Sequence, residues 1–340
     1  MSSASLGRIA ALVLGLAALH WLAPLVLNPY YVTILARIGI AIIAAVSLQL
    51  VNGFTGQFSI GHAGFMAVGA YSSAAFSVYL GASVLDSLGG GGLARLAYFP
   101  FPLVCGGIAA AVAGLVVAVP ALRLRGDYLA IATLGAGEII RIAILNIDAV
   151  GGARGFSLAS AAHPSVDLRF ESLAGVYGVA VLTIAAIARL VYSGGGLAFR
   201  AVREDEIAAE SLGVPTTRVK VEAFLVSSFF AGVAGALFAH TEGYIHTNSF
   251  SFVRSFELVA FVVLGGLGSL SGAVLAAAVL TALPEGLRGL GEWRMILYSL
   301  LLILTMILRP QGLLGQRELL PLGAVRRARS RKGEPWRCLK

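Results

Sequence analysis

The sequence predicts an all-α polytopic membrane protein of about 8–10 transmembrane helices, including a broken or re-entrant glycine-rich segment. Three observations carry that expectation. The 340 residues are 58% hydrophobic and 12% charged, about half the charge a soluble domain of this size needs to cover its surface. Apolar runs of about 18 or more residues recur along the chain, each long enough to cross a hydrocarbon core of roughly 30 Å. Nothing alternates with the period of two that a barrel requires, so the spans are helices, which satisfy their own backbone groups in lipid. The 42 glycines, interspersed with Ala and Ser, predict a tightly packed bundle.

Candidate spans fall at 8–27, 31–51, 58–80, 98–119, 128–146, 172–192, 220–240, 256–283 and 293–308. The first follows Arg8 and resembles a signal peptide, but no small-x-small cleavage site follows it, so it is expected to remain as a span. The second contains Arg37, whose partner cannot be identified from sequence. A glycine-punctuated stretch, "NGFTGQFSIGHAGFMAVGAY" (52–71), leads into the third and carries Thr55, Gln57, Ser59 and His62. A lone His there serves either as a hydrogen-bonded packing residue or as a substrate contact. Cys105 lies in the fourth span and Cys338 in the tail, which gives no disulfide framework.

Glu138 and Arg141 stand three apart on one face of the fifth span and are expected to pair. An unpaired charge at that depth would cost several kcal/mol. They form either a polar patch lining a pathway or a self-neutralised pair facing the bundle. The 256–283 segment is too long for one crossing and holds Gly265, Gly266, Gly268 and Gly272. Glycine weakens a helix interior by roughly 1 kcal/mol relative to Ala, so two shorter pieces are expected, as a re-entrant pair or two crossings. The alternative is a single tilted helix. Broken helices at membrane depth are tolerated where protein or water covers them, which is where transport pathways lie.

Between the sixth and seventh spans, residues 193–220 carry four Lys/Arg and four Asp/Glu. The string "FRAVREDEIAAESLG" (199–213) reads as a short helix that Gly213 and Pro215 terminate. Ile207, Ala208 and Leu212 make an apolar stripe beside its acids, a pattern suited to docking on a soluble partner. Residues 309–340 hold nine Lys/Arg against two Glu, a basic tail expected in the cytoplasm beside anionic lipid rather than on nucleic acid. Lys/Arg in "RLRGD" and in 193–220 put those loops on the same side, and with them both termini. The domain reading is a transmembrane domain over 1–308, with the 193–220 loop inside it, and the basic cytoplasmic tail over 309–340.

Catalytic machinery is not apparent. The three lysines (220, 332, 340) follow no glycine-rich phosphate loop, and the five histidines lack metal-ligand spacing. No catalytic residue, metal site or cofactor is expected, and any ATP hydrolysis would have to come from another chain. The rival expectation is a channel or ion-coupled secondary carrier working alone through Glu138 and Arg141.

Five strings, "GFTGQFSIGHAGFMAVGAY", "GDYLAIATLGAGEIIRI", "FRAVREDEIAAESLGV", "AFLVSSFFAGVAGALFAH" and "VLGGLGSLSGAVLAA", resemble in order the signatures of the branched-chain amino-acid (LIV-type) ABC permeases. The resemblance is to the LivM-like member of the pair and covers roughly residues 35–315. It implies a bacterial inner-membrane permease subunit that imports Leu, Ile, Val or related substrates. It also implies two ABC ATPase subunits, a second homologous permease and a periplasmic substrate-binding protein as partners. Related permeases carry urea or short amides. By the same resemblance Arg200, Arg203, Glu204, Asp205, Glu206, Ala209 and Gly213 form the ATPase-coupling interface. Gln57, His62, Glu138, Arg141, Gly265, Gly266 and Gly268 are the pathway candidates. Two departures stand out: Leu197 replaces the Arg of the family's "GRA" string, and Val150 replaces the Thr of its "TGG" string.

Overall fold

The structure is a computed structural model that describes residues 28–87, 97–124, 126–158, 172–309, 311–315 and 318. The expected first span, 8–27, and the tail beyond 318 lie outside the described residues. In order the helices are α1 (Pro29–Gln49), α2 (His62–Ser87), α3 (Pro100–Ala121), α4 (Asp127–Leu145), α5 (Leu173–Val191), α6 (Gly196–Glu204) and α7 (Glu206–Ser211). They continue as α8 (Thr216–Glu242), α9 (Phe252–Gly265), α10 (Leu270–Gly286) and α11 (Trp293–Leu308). Among the described residues eight segments are long and apolar enough to cross a membrane, and α11 is a shorter apolar helix. The chain is an all-α, multi-pass membrane protein. A two-residue antiparallel pair, β1 (Phe156–Ser157) and β2 (Tyr244–Ile245), ties two loops together.

Expected and observed boundaries agree within a few residues except where a glycine or a cap intervenes. The third span starts at His62 rather than 58, because residues 55–61 form a loop. The 256–283 segment is broken, as its glycines predict: α9 stops at Gly265, Gly266 adopts φ 107°, and α10 begins at Leu270. Ser269 caps α10 by accepting the Gly272 amide at 3.1 Å.

Long α8 is the centre of the bundle and packs most extensively on α3 and α2, then on α1. The α2–α3–α8 contact is made by glycine. A Cβ added at Gly69 would lie 2.2 Å from the Gly232 carbonyl oxygen, one at Gly106 2.7 Å from the Gly69 carbonyl oxygen, and one at Gly232 2.6 Å from the Gly106 carbonyl oxygen. Backbones approach this closely in lipid because the driving force is van der Waals contact rather than exclusion of water.

α1 and α8 run antiparallel. The Ser227 hydroxyl donates to the Ser47 carbonyl at 2.7 Å, and farther along Arg37 meets Glu242. One end of the bundle therefore holds the end of α1, the start of α8 and the α9–α10 break. The other holds Arg37, Glu242, the β1–β2 pair and the start of α9.

Candidate coupling site

The charged segment lies at the first of these ends. It is not one helix but two. Asp205 leaves helical geometry (φ −157°, ψ 113°), and its carboxylate accepts the Ile207 and Ala208 amides at 2.9 and 3.0 Å. Asp is among the strongest N-caps, so it ends α6 and starts α7 in the middle of the expected helix. Gly213, at φ 83°, closes α7 as expected.

Arg203 turns inward. Its Nη1 donates to the Gly53 carbonyl at 2.8 Å. That carbonyl belongs to a π-helical turn, Leu50–Phe54, which continues α1. Such turns free backbone groups for other partners. Arg203 also lies against the second break: a Cβ added at Gly268 would meet its Nη1 at 2.5 Å. Gln49, at the end of α1, completes the junction, its Nε2 donating to the Gly266 and Ser269 carbonyls at 2.9 and 3.2 Å. The glycine-rich breaks of the two halves of the chain thus meet, and α6 reaches both through one arginine.

The remaining interface candidates divide by exposure. Ala209 is buried against the body, and Glu206 forms an ion pair with Lys220 on α8 at 2.6 Å. Both support the segment from within. Glu204, Glu210 and the apolar Leu197, Ile207 and Leu212 face outward, Leu212 with 85% of its surface exposed. The Arg200 guanidinium lies over the Tyr192 ring, 5.4 Å from its centroid.

The tail contributes what the sequence did not signal. The Leu313 amide donates to the Leu264 carbonyl at 2.7 Å, and Glu318 accepts the Leu270 and Ser271 amides at 2.7 and 3.2 Å. A carboxylate on two free amides at a helix start is favoured by hydrogen bonding and by the helix dipole. Glu318 also accepts the Tyr192 hydroxyl at 2.9 Å. Burial, and then the adjacent Glu318 carboxylate, push the Tyr192 hydroxyl above its ordinary range, so it stays a donor.

The pathway candidates are not gathered in one place. Gly265, Gly266 and Gly268 form the break at the junction. A Cβ at Gly265 would lie 2.5 Å from Gly272 backbone, so α9 and α10 cross backbone to backbone there. Gln57 lies in the 55–61 loop, 6% exposed, and neither polar atom of its amide has a partner among the described residues. Its neighbours are satisfied: the Thr55 hydroxyl donates to the Leu50 carbonyl at 2.7 Å, and the Asn52 amide group bridges the Ser59 backbone. His62 is buried, with Nε2 2.8 Å from the Ser47 hydroxyl, the geometry of a packing residue. Glu138 and Arg141 pair at 2.7 Å, as their spacing predicts, and Glu138 also accepts the Phe252 amide at 2.9 Å. That pair holds α4 to the start of α9, far from the junction.

Arg37 finds the partner that sequence left open: Glu242 accepts two hydrogen bonds from it, at 2.7 and 3.1 Å. Val150 sits in a 3₁₀ turn, Asp148–Val150, packed on the core. Sequence reasoning missed Gln49, Lys220, Tyr192 and Glu318 as members of the site. An amide at the end of an apolar run marks Gln49, and nothing local marks Glu318.

The sequence profile of the family described as branched-chain amino acid transport system / permease component matches residues 30–308. The chain is 38% identical over 277 residues to the LivM permease protein of the high-affinity branched-chain amino acid transport system of Salmonella typhimurium, covering 69% of this chain and 65% of that protein. Against LivM of Escherichia coli it is 38% identical over 275 residues, with the same shares. Against LivH of Escherichia coli it is 34% identical over 130 residues, 37% of this chain and 42% of that protein. The chain thus matches just under two thirds of the length of its LivM relatives. No solved structure matches.

Proposed function

The chain belongs to the family of branched-chain amino acid transport system permease components, and from that premise we propose that it is one permease subunit of an ABC importer for branched-chain or related amino acids. In this reading it works beside a second homologous permease, two ABC ATPase subunits and a periplasmic substrate-binding protein. It lies in the bacterial inner membrane with both termini and α6–α7 on the cytoplasmic side, its basic tail beside lipid.

The single observation that carries the reading is the Arg203–Gly53 hydrogen bond. The outward face of α6–α7, with Leu197, Ile207, Leu212, Glu204 and Glu210, docks on the ATPase subunits. Arg203, facing inward, then carries their movement to the two glycine breaks. A charged hydrogen bond contributes about 1.5–3 kcal/mol, enough to couple the segment to the break without locking it. Family membership favours this reading over a stand-alone carrier, and the named substrates of the relatives favour amino acids over urea or short amides.

Proteoliposomes test it. With the partner permease, the ATPase subunits, the binding protein and ATP, labelled leucine, isoleucine or valine should accumulate, and omission of the ATPase subunits should abolish uptake. Uptake by this chain alone would establish the rival carrier.

A further inference from the structure

The first four amides of a helix have no partner within it, and α10 draws its acceptors from two places. Ser269 takes the Gly272 amide on its hydroxyl and the Ala273 amide on its carbonyl, both at 3.1 Å. Glu318 takes the other two, those of Leu270 and Ser271, and accepts the Ser271 hydroxyl as well. The tail reaches this position by lying on the α9–α10 break. Beyond the Leu313–Leu264 hydrogen bond, a Cβ added at Gly312 would stand 2.5 Å from the Gly266 Cα. One added at Gly266 would stand 2.5 Å from the Gly315 carbonyl oxygen. Gly312 and Gly315 adopt φ of 82° and 56°, a conformation that glycine reaches without steric cost.

A helix cap requires nothing further, but Glu318 has a further contact. It accepts the Tyr192 hydroxyl at 2.9 Å. Tyr192 ends α5 immediately before α6, and the Arg200 guanidinium of α6 lies over its ring. The one side chain thus serves a cation on its face and a carboxylate at its tip. A continuous series of contacts therefore runs from α6, through Arg200, Tyr192 and Glu318, to the first turn of α10.

We propose that Arg200, Tyr192 and Glu318 form a second coupling path, which carries movement of α6 to the start of α10 while Arg203 carries it to the end of α1. Tyr192 and Glu318 are positioning residues in this path, each acting through its neighbour. Arg200 and Arg203 leave α6 three residues apart, so one displacement of that helix loads both. A single arm would let α6 pivot about one contact. Two arms ending on α1 and α10 oblige the two elements to move with it. The tail is then part of the coupling machinery and not an appendage to it. The proposal rests on the coupling role given to α6–α7.

The test uses the complete transporter in proteoliposomes, with binding protein, ATP and labelled leucine, and reads uptake per ATP hydrolysed. Tyr192→Phe keeps the ring beneath Arg200 and removes the bond to Glu318. Glu318→Gln keeps an acceptor and removes the charge. Each should lower uptake per ATP about fivefold or more, the scale of one hydrogen bond. Both changes cut the same link, so the double variant should lose no more than the worse single variant. Losses that multiply in the double variant would overturn the path. Thermal midpoints, measured alongside, separate coupling from mere support. A lowered midpoint with parental uptake per ATP marks a structural clasp and also overturns it. Should Glu318→Gln fail to assemble, Tyr192→Phe decides, since it deletes one hydroxyl. Leucine uptake by the parent complex with ratios unmoved in the variants refutes the path alone. No uptake by the parent complex refutes the transport reading, and the path with it.

Discussion

Arg203, at the end of α6, donates through Nη1 to the backbone carbonyl of Gly53, 150 residues earlier in the chain, at 2.8 Å. Gly53 belongs to the break that ends α1, and Gly268, of the break between α9 and α10, lies against the same guanidinium. A segment with an exposed apolar face is thereby fastened to both irregular stretches of the membrane domain.

The outward face of α6–α7 should be needed for association. Ile207→Asp with Leu212→Asp places two charges on side chains that are 66% and 85% exposed, so folding should be unaffected. Recovery of the ATPase subunits in pull-downs should fall at least tenfold, the consequence of losing about 1.4 kcal/mol or more of binding. Undiminished recovery would remove this face from the interface. Charge reversal at Asp205 is a poorer probe, because it also removes the cap of α7.

Glu206 should stabilise the chain rather than touch a partner. The Lys220 side chain is 9% exposed and faces Glu206 at 2.6 Å. Removing one member of a buried pair costs more than replacing both. Glu206→Gln should destabilise by about 1–3 kcal/mol, and Glu206→Gln with Lys220→Met should recover part of it, as thermal unfolding in detergent will show. An additive or larger loss in the double variant would contradict the pairing.

The glycine node should tolerate no side chain. Gly232→Leu drives a side chain into the Gly106 backbone, which the packed bundle has no room to move. Overpacking of this kind costs about 1–3 kcal/mol or more, so the variant should elute as aggregate in size-exclusion chromatography. Gly178→Leu, in open space on α5, is the control and should elute as the parent does.

Glu318 should hold the start of α10. Glu318→Ala removes the acceptor for two helix-terminal amides, a loss of about 1 kcal/mol. Faster hydrogen exchange at Leu270 and Ser271, with unchanged exchange deep in α8, is the expected result. Unaltered exchange at both amides would show that Glu318 is dispensable there.

The sequence disclosed these elements unevenly, and the reason is physical. Spans are legible because lipid demands long apolar runs, and the α9–α10 break because four glycines sit where a helix interior disfavours them. The Glu138–Arg141 pair was legible because helix periodicity alone places its members together. Asp205 was misread within a single helix: the surrounding helix formers outweighed a cap signal that the apolar stripe after it supported. Arg37 and Glu242 lie 205 positions apart, so no local pattern joins them. The partner of Arg203 is a backbone carbonyl, which has no residue-type signature. Only the packing of α6 against the π-helical turn that continues α1 brings it within reach.

The most direct test of the coupling account is uptake and ATP hydrolysis measured together in proteoliposomes carrying the Arg203→Gln variant with all partner subunits. Gln keeps a donor but neither the charge nor the reach to Gly53. The account predicts that ATPase activity persists while leucine uptake per ATP hydrolysed falls about tenfold or more, matching the loss of a charged hydrogen bond. Uptake per ATP equal to that of the parent chain would contradict it.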